Sequence, residues 1–289
     1  MSQAFLHART YLRWYILLAL LFISVLLFSV ILREDRNGIL TFVVLDIGQG
    51  DALLIESPTG TQVLVDGGPG KALMKEISTV MPWYDRHIDM LVVTNPDKDH
   101  YEGFIPLLDK YAVDVVLESG THSPTPEYVT FEKEMIDNKI SKILARRGQI
   151  IDLGGGAYLQ VLFPDRDVSG LSSNDGSIVM KLVYGDTSVL LQGDSTAKIE
   201  QYLVDLDGDN LKSTILKVGH HGSRTSTSEE YVKQVFPEWA VISAGKDNSY
   251  GHPHKETLGI LSKFRVPIIG THEVGRIVFH SDGKGFVLD

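Results

Sequence analysis

The most extended apolar run in the chain is Trp14 to Leu32 (WYILLALLFISVLLFSVIL), 19 residues without a charge. At about 1.5 Å of rise per residue, a helix of this length matches the hydrocarbon core of a bilayer. The run has no polar face, and no small-x-small cleavage site follows it before the charged cluster Arg33-Glu34-Asp35-Arg36. A retained anchor is therefore expected, rather than a removed signal peptide or a buried core helix. Arg9 and Arg13 precede the run, whereas Arg33 and Arg36 sit among acids. This weak bias puts the remainder of the chain outside the cytoplasm of a cell membrane. The pattern predicts a tail (1–13), one transmembrane span (14–32), a linker (33–39) and a large domain (40–289).

Beyond Gly38 the pattern changes to short apolar runs alternating with amphipathic ones, beginning with LTFVVLD from Leu40 to Asp46. Leu53-Leu54-Ile55 and Val63-Leu64-Val65 flank Ser57-Pro58-Thr59-Gly60, which predicts a β-hairpin. Further strands are predicted at Met90–Val93, Val113–Leu117, Leu159–Leu162, Ile178–Val183, Ser188–Leu191, Thr214–Val218, Ala240–Ser243, Pro267–Gly270 and Ile277–His280. Helices are predicted at Lys71–Thr79, Pro126–Asn138, Thr196–Leu206, Ser228–Val235 and Lys255–Phe264. The fold class is α/β. So many strands call for two packed sheets flanked by helices, and no linker rich in Pro, Ser or charge divides residues 38–289.

Composition narrows the chemistry. With 27 basic and 37 acidic residues the net charge is −10, which argues against scanning of polyanions by bulk electrostatics. Contact with nucleic acid must then be local or carried by metal. There is no cysteine, so a metal must be held by His, Asp, Glu or Asn.

Three predicted strands end in groups suited to that task. Met90–Thr94 runs into Asn95, Asp97, Asp99 and His100. Close carboxylates repel unless a cation or proton compensates them; the structural alternative is an Asx turn with solvated charges. Val189–Leu191 leads to Gln192-Gly193-Asp194 and then to a helical segment with Glu200. A Gly-Asp pair here also suits a turn or a helix cap. Ile215–Val218 ends at Gly219-His220-His221-Gly222-Ser223, where glycines permit close backbone approach to a ligand. A fourth polar cluster runs from Ser243-Ala244-Gly245 through Asn248-Ser249-Tyr250-Gly251-His252-Pro253-His254, in a loop suited to contacting substrate.

These segments resemble the metallo-β-lactamase superfamily, in particular the ComEC-type carboxyl-terminal metallo-hydrolase domain associated with DNA uptake. The likeness covers about residues 40–280. It is carried by Leu45-Asp46-Ile47-Gly48-Gln49-Gly50-Asp51-Ala52, Leu64-Val65-Asp66-Gly67-Gly68, Asp97-x-Asp99-His100, Leu190-Leu191-Gln192-Gly193-Asp194, Leu216-Lys217-Val218-Gly219-His220-His221-Gly222-Ser223 and Asn248-x-Tyr250-Gly251-His252-Pro253. The resemblance implies a four-layer αββα sandwich following the transmembrane helix, with a metal site at one edge. It implies metal ligation by Asp97, Asp99, His100, Asp194 and His220, with Asn95 at the first ligand position. Catalytic roles are implied for Asp99, Asp194, His221 and His252. Asp66 is expected behind the metal, and Ser223, Asn248 and Tyr250 beside it or against substrate.

One position departs from the family, which begins this metal loop with His where the chain has Asn95. A neutral amide oxygen is a poorer zinc ligand than imidazole, and the other candidates are rich in carboxylates, so one or two ions of zinc or manganese are expected. The only further His between His100 and Asp194 is His122, a pocket-lip or surface residue. The implied activity is metal-assisted hydrolysis of a DNA phosphodiester. Its rival is a non-catalytic DNA-binding or scaffold domain. With one span the chain is not itself a channel, so a separate channel protein is an expected partner, alongside a nucleic-acid substrate.

Overall fold

The computed structural model of the chain describes residues 3–34 and 36–289, with the side chains of the first helix described at residues 11–26. It forms two units, Met1–Gly38 and Ile39–Asp289. The first is a helix, α1 (Gln3–Glu34), whose described side chains from Tyr11 to Leu26 are all exposed. Among the described residues no helix is long and apolar enough to cross a membrane. The side chains of residues 27–32 in the span expected from sequence lie outside the described ones.

The second unit begins with β1 (Leu40–Val44), β2 (Leu53–Glu56), β3 (Gln62–Val65), α2 (Ala72–Val80) and β4 (His87–Val93). It continues through α3 (Lys98–Tyr101), α4 (Phe104–Leu108), β5 (Ala112–Glu118), α5 (Pro126–Asp137) and β6 (Ser141–Leu144). Next come β7 (Ile150–Gly154), β8 (Ala157–Phe163), β9 (Val179–Tyr184), β10 (Thr187–Leu191), α6 (Ala197–Asp207) and β11 (Ile215–Lys217). The chain ends with α7 (Glu229–Val235), β12 (Trp239–Ile242), α8 (Lys255–Lys263), β13 (Ile268–Gly270), α9 (Thr271–Val274), β14 (Ile277–Ser281) and β15 (Phe286–Leu288).

One sheet has the order β15-β14-β1-β2-β3-β4-β5-β6 and the other β13-β12-β11-β10-β9-β8-β7. The two-residue period of the strands produces the layering. Phe42, Val44, Ile55, Val63, Val65 and Val92 face Met180, Leu182, Val189, Leu191 and Val241 in one buried cluster between the sheets. The alternate residues Val43, Leu54, Leu64 and Leu91 pack outward on Leu73, Ile77, Phe104 and Phe131 of the helices. Leu190, Leu216, Ala240 and Ile242 do the same against Ile199, Leu203, Val232 and Leu261. Both faces of each sheet are covered, which gives the four-layer αββα arrangement.

The hairpin of β2 and β3 pairs Leu53 with Val65 and Glu56 with Gln62. β6, β7 and β15 are additions to the sequence-based strand set. All three lie at sheet edges and are short or largely exposed, so they lack the long buried apolar run that marks an interior strand. The short helices α3, α4 and α9 are also additions, since four or five residues are too few to show a helical period.

Strands β3, β4, β5 and β6 are mutually parallel, as are β10, β11, β12 and β13. The loops after β3, β4, β10 and β11 therefore meet at one end of the sandwich, and they contain the polar clusters noted in the sequence.

Candidate metal centre

Asp66 follows β3 with a positive φ of 59°. Its Oδ1 accepts the Thr94 amide at 2.8 Å and its Oδ2 the Thr94 hydroxyl at 2.7 Å. Thus fixed to the end of β4, Oδ2 also accepts from His100 Nδ1 at 2.8 Å. A carboxylate only accepts, so the His100 ring proton sits on Nδ1 and Nε2 points inward, 3.0 Å from Asp194 Oδ2 and 4.0 Å from Asp99 Oδ1.

A second histidine repeats the device. His221 Nδ1 lies 3.2 Å from Asp51 Oδ1, while its Nε2 is 3.4 Å from Asp99 Oδ2 and 3.6 Å from Asp194 Oδ1. His220 and His221 both adopt left-handed backbone angles, with φ of 48° and 55°. Such angles strain a residue with a β-carbon, and here they turn the second ring under the sheet. Gly50 lets the Asp51 loop close: a β-carbon there would stand 2.3 Å from the Asp99 carbonyl oxygen, which accepts the Asp51 amide at 3.2 Å.

Asp51 is itself held by Lys217, whose buried Nζ lies 2.8 Å from each of its carboxylate oxygens. Sequence reasoning quoted both residues within motifs but gave neither a role. The signal was present, because a lysine inside the apolar run Ile215–Val218 must find a buried anion.

Electrostatics set the demand for a cation. Burial works against the Asp194 charge, yet His100 and His221 hold its carboxyl far below the usual range. Asp51 behaves alike, with Lys217 and His221 outweighing its burial. Burial opposes the charge of His221, but Asp194 and Asp51 push it up to about 10, and Asp194 with Asp66 drives His100 well above its usual value. Four carboxylates, of Asp51, Asp66, Asp99 and Asp194, thus surround two imidazoles and one ammonium. Either the two rings take protons or a divalent ion replaces them. The donor set fits an ion: Asp194 Oδ1 and His221 Nε2 are buried without a hydrogen-bond partner. Suitable atoms of Asp99, His100 and His221 lie within 4.8 Å of one another, as do those of Asp51, Asp194 and His221. Asp99, His100, Asp194 and His221 would form the inner set, with Asp66 and Asp51 orienting the histidines.

The remaining sequence candidates divide into three groups. Asp97, Asp99, Asp194, His220, His221, Tyr250 and His252 line a cavity of about 330 Å³ with Gln49 and Lys98. Asp97 Oδ2 accepts the Ser173 hydroxyl at 2.8 Å on its wall. His220 reaches Asp194 Oδ2 only at 3.7 Å and turns its Nδ1 to Thr225 Oγ1, whereas His221 has its Nε2 between Asp99 and Asp194. Gln49 Oε1 accepts the Gly245 amide and its Nε2 donates to His252 Nδ1 at 3.3 Å, so the His252 ring proton is on Nε2. Burial and the neighbouring His221, His220 and His254 lower His252 to about 4, which keeps it neutral.

Three expected ligands or substrate contacts instead brace loops. Asn95 is fully buried; its Oδ1 accepts the Asp97 amide at 2.9 Å and its Nδ2 donates to Ser177 Oγ at 3.4 Å. This is an Asx turn, and it commits both ends of the amide. Asn248 Nδ2 donates to the carbonyls of Gly245 and His252, and its Oδ1 accepts the amides of Tyr250 and His252. Ser223 Oγ bonds Thr225 Oγ1 within its own loop. His122 is exposed. Glu200 is buried and accepts from the Gln192 side chain and from the amides of Thr227 and Ser228, tying the loop after β11 to α6.

The profile of the metallo-beta-lactamase superfamily matches residues 45–246, a span that holds every inner-set residue. The chain belongs to the metallo-beta-lactamase superfamily. Members of that superfamily are generally metal-dependent hydrolases. The chain is 29% identical over 260 residues to ComE operon protein 3 of Bacillus subtilis (strain 168), a match covering 82% of this chain and 32% of that protein. It is 32% identical over 239 residues to Recombination protein 2 of Haemophilus influenzae, covering 81% and 28%. With Competence protein ComA of Neisseria gonorrhoeae the identity is 27% over 236 residues, covering 82% and 31%. The matches span about a third of the length of these relatives. Among solved structures, the metallo-beta-lactamase fold protein YhfI of Bacillus subtilis aligns with a TM-score of 0.57 at 13% identity, covering 84% of this chain and 99% of that one. The Zn(2+)-bound PqqB of Methylobacterium extorquens aligns at 0.50 and 10% identity, covering 77% and 85%. These two likenesses concern the fold alone.

Proposed function

We propose that this superfamily member is a divalent-metal-dependent phosphodiesterase that cleaves DNA, anchored to a membrane through Trp14–Leu32 and acting in DNA uptake. The carrying observation is the convergence of His100 Nε2, His221 Nε2 and the carboxylates of Asp99 and Asp194 beneath an open cavity. Zinc or manganese bound there supplies charge to phosphate oxygens and lowers the pKa of the attacking water. Asp66 and the Asp51–Lys217 pair fix both imidazoles with Nε2 inward, so the donors need no rearrangement. Lys98 also lies on the cavity wall, where its ammonium is paired with Glu127 Oε1 at 2.7 Å. Neutral His252 offers an Nε2–H hydrogen bond to a phosphate oxygen, and the exposed Tyr250 ring, stacked at 5.7 Å on His252, offers a face to a base. The net charge of −10 is no obstacle when phosphate is held by cations. The names of the competence relatives support the uptake role, a separate channel protein is the proposed partner, and the basic residues before the apolar run support a hydrolase domain outside the cytoplasm.

A second reading is a DNA-binding or scaffold module without turnover. It is favoured by Asn95, whose amide is committed to its loop and leaves the first metal position without a ligand. Purified full-length chain, assayed on single- and double-stranded DNA with manganese or zinc beside an Asn95→His variant, separates the two. Cleavage by the parent is expected; inactivity with every divalent ion, together with recovery in the variant, favours the second reading.

A further inference from the structure

The rings of the metal centre continue outward as a row. The centroid of His221 lies 6.3 Å from that of His252, and His252 lies 4.8 Å from His254, edge to face. His254 is half-buried just before α8, and the loop after β11 grips it twice. Its amide donates to the Gly222 carbonyl at 2.9 Å, and its Nδ1 accepts the Arg224 amide at 3.2 Å. Gly222 permits this approach: it has a φ of 85°, and a β-carbon there would stand 2.6 Å from Pro253 Cβ. Thr257 adds a third tie by donating to the Ser223 carbonyl at 3.0 Å.

These bonds fix a proton. A ring nitrogen that accepts from a backbone amide carries no hydrogen, so the His254 proton sits on Nε2. His252 is in the same state, because the Gly245 amide orients the Gln49 side chain, which then donates to His252 Nδ1. Two adjoining imidazoles thus hold Nδ1 against the protein, and neither Nε2–H has a hydrogen-bond partner among the described residues. The surrounding charge suits an anion. Segments 222–228 and 245–256 carry Arg224, Lys246 and Lys255 against Asp247 and Glu256, all exposed, so this region is net positive in a chain of net charge −10. Those three cations have no ion pair among the described residues, whereas Lys98 across the cavity is spent on Glu127.

We propose that His254 and Arg224, beside His252, form a second phosphate subsite, which holds the phosphate next in the strand to the one at the metal. The proposal rests on the reading of the cavity as a phosphodiester site and specifies its substrate: a strand with consecutive phosphates, laid from the metal over His252 toward α8. His254 supplies an uncharged Nε2–H that adds no cation to repel the metal ion, and Arg224 supplies the charge. The test is fluorescence anisotropy of a short labelled oligothymidylate whose phosphorothioate linkages resist cleavage, with purified full-length chain and manganese. His254→Phe keeps a ring and removes the N–H, and Arg224→Gln removes an exposed charge. Each should weaken binding about tenfold, as expected for a lost hydrogen bond to a charged group. Arg224→Gln should also reduce the slope of log affinity against log salt by about 0.7, while His254→Phe leaves that slope as in the parent. Unchanged affinity in either variant overturns the proposal, as does a reduced salt slope in His254→Phe, which would make that ring a cation. Hydrolysis of bis(p-nitrophenyl) phosphate by the parent tests the functional reading alone, since that diester has no second phosphate. Hydrolysis beside unchanged oligonucleotide affinity in the variants overturns the subsite and keeps the enzyme. No hydrolysis with any divalent ion, beside weakened affinity in both variants, removes turnover and leaves the subsite standing in a DNA-binding module.

Discussion

Replacing Lys217 with methionine tests whether the metal centre depends on a residue that lies well behind it. Lys217 is fully buried, its Nζ spans both oxygens of Asp51, and Asp51 holds His221 by Nδ1. Methionine keeps most of the volume and removes the charge, leaving Asp51 a buried anion whose remaining cationic neighbour, His221, is shared with Asp99 and Asp194. Breaking a buried pair from one side costs about 3–5 kcal/mol. For a unit of this size, that lowers Tm by about 6–20 °C. Denaturant unfolding in the presence of EDTA measures the loss without contribution from bound metal. Adding Asp51→Asn removes the stranded charge, so the double variant should be more stable than Lys217→Met alone, a non-additivity expected of groups in contact. Manganese or zinc affinity, read by calorimetry, should fall about 10–100-fold in the single variant because His221 loses a fixed partner. A Lys217→Met protein within about 1 kcal/mol of the parent, or strict additivity in the double variant, would refute the reasoning.

Other outcomes follow from the same geometry. His221→Ala should weaken metal binding far more than His220→Ala, since only His221 Nε2 lies between Asp99 and Asp194; equal losses in calorimetry would return His220 to the inner set. In metal-free protein His221 is raised from 6.5 to about 10, so its stabilising charge is fully present below about pH 6.5 and is lost as pH rises toward 10. Denaturation midpoints in EDTA should fall across that window, and saturating metal, which occupies the same ring nitrogen, should flatten the fall; a pH-independent midpoint without metal would count against the charge assignment.

Much of the sandwich was legible because its interior strands bury both faces and so read as apolar runs, β4 and β10 above all. The edges were not: every residue of β6 and two of the three in β15 are exposed, and each strand pairs on one side only, so its place is set by the neighbouring strand rather than by its own pattern. The clusters after β4, β10 and β11 were also legible, as polar groups that packing at a strand end does not require. Their division of labour was not. Asn95 and Asn248 read as ligand and substrate contact, yet Asn95 bonds the Asp97 amide and Ser177 Oγ and Asn248 bonds only loop backbone, which sequence spacing does not distinguish from a site role. Adjacent His220 and His221 are equivalent in sequence, and only the left-handed turn of the backbone directs the second ring into the acidic cluster.

The sequence by itself determined the apolar run of Trp14–Leu32, the alternation that builds two covered sheets, and the requirement that any metal be held by His and carboxylates. Tertiary structure decided which of those groups face one another. Asp51 and Lys217 are 166 residues apart and meet only because strands from two sheets end at the same edge, whereas Asp66 and His100, 34 apart, meet because β3 and β4 are parallel neighbours in one sheet. Burial at that edge then converts ordinary carboxylates and imidazoles into a cluster whose charge calls for a cation, a property no residue in it has alone.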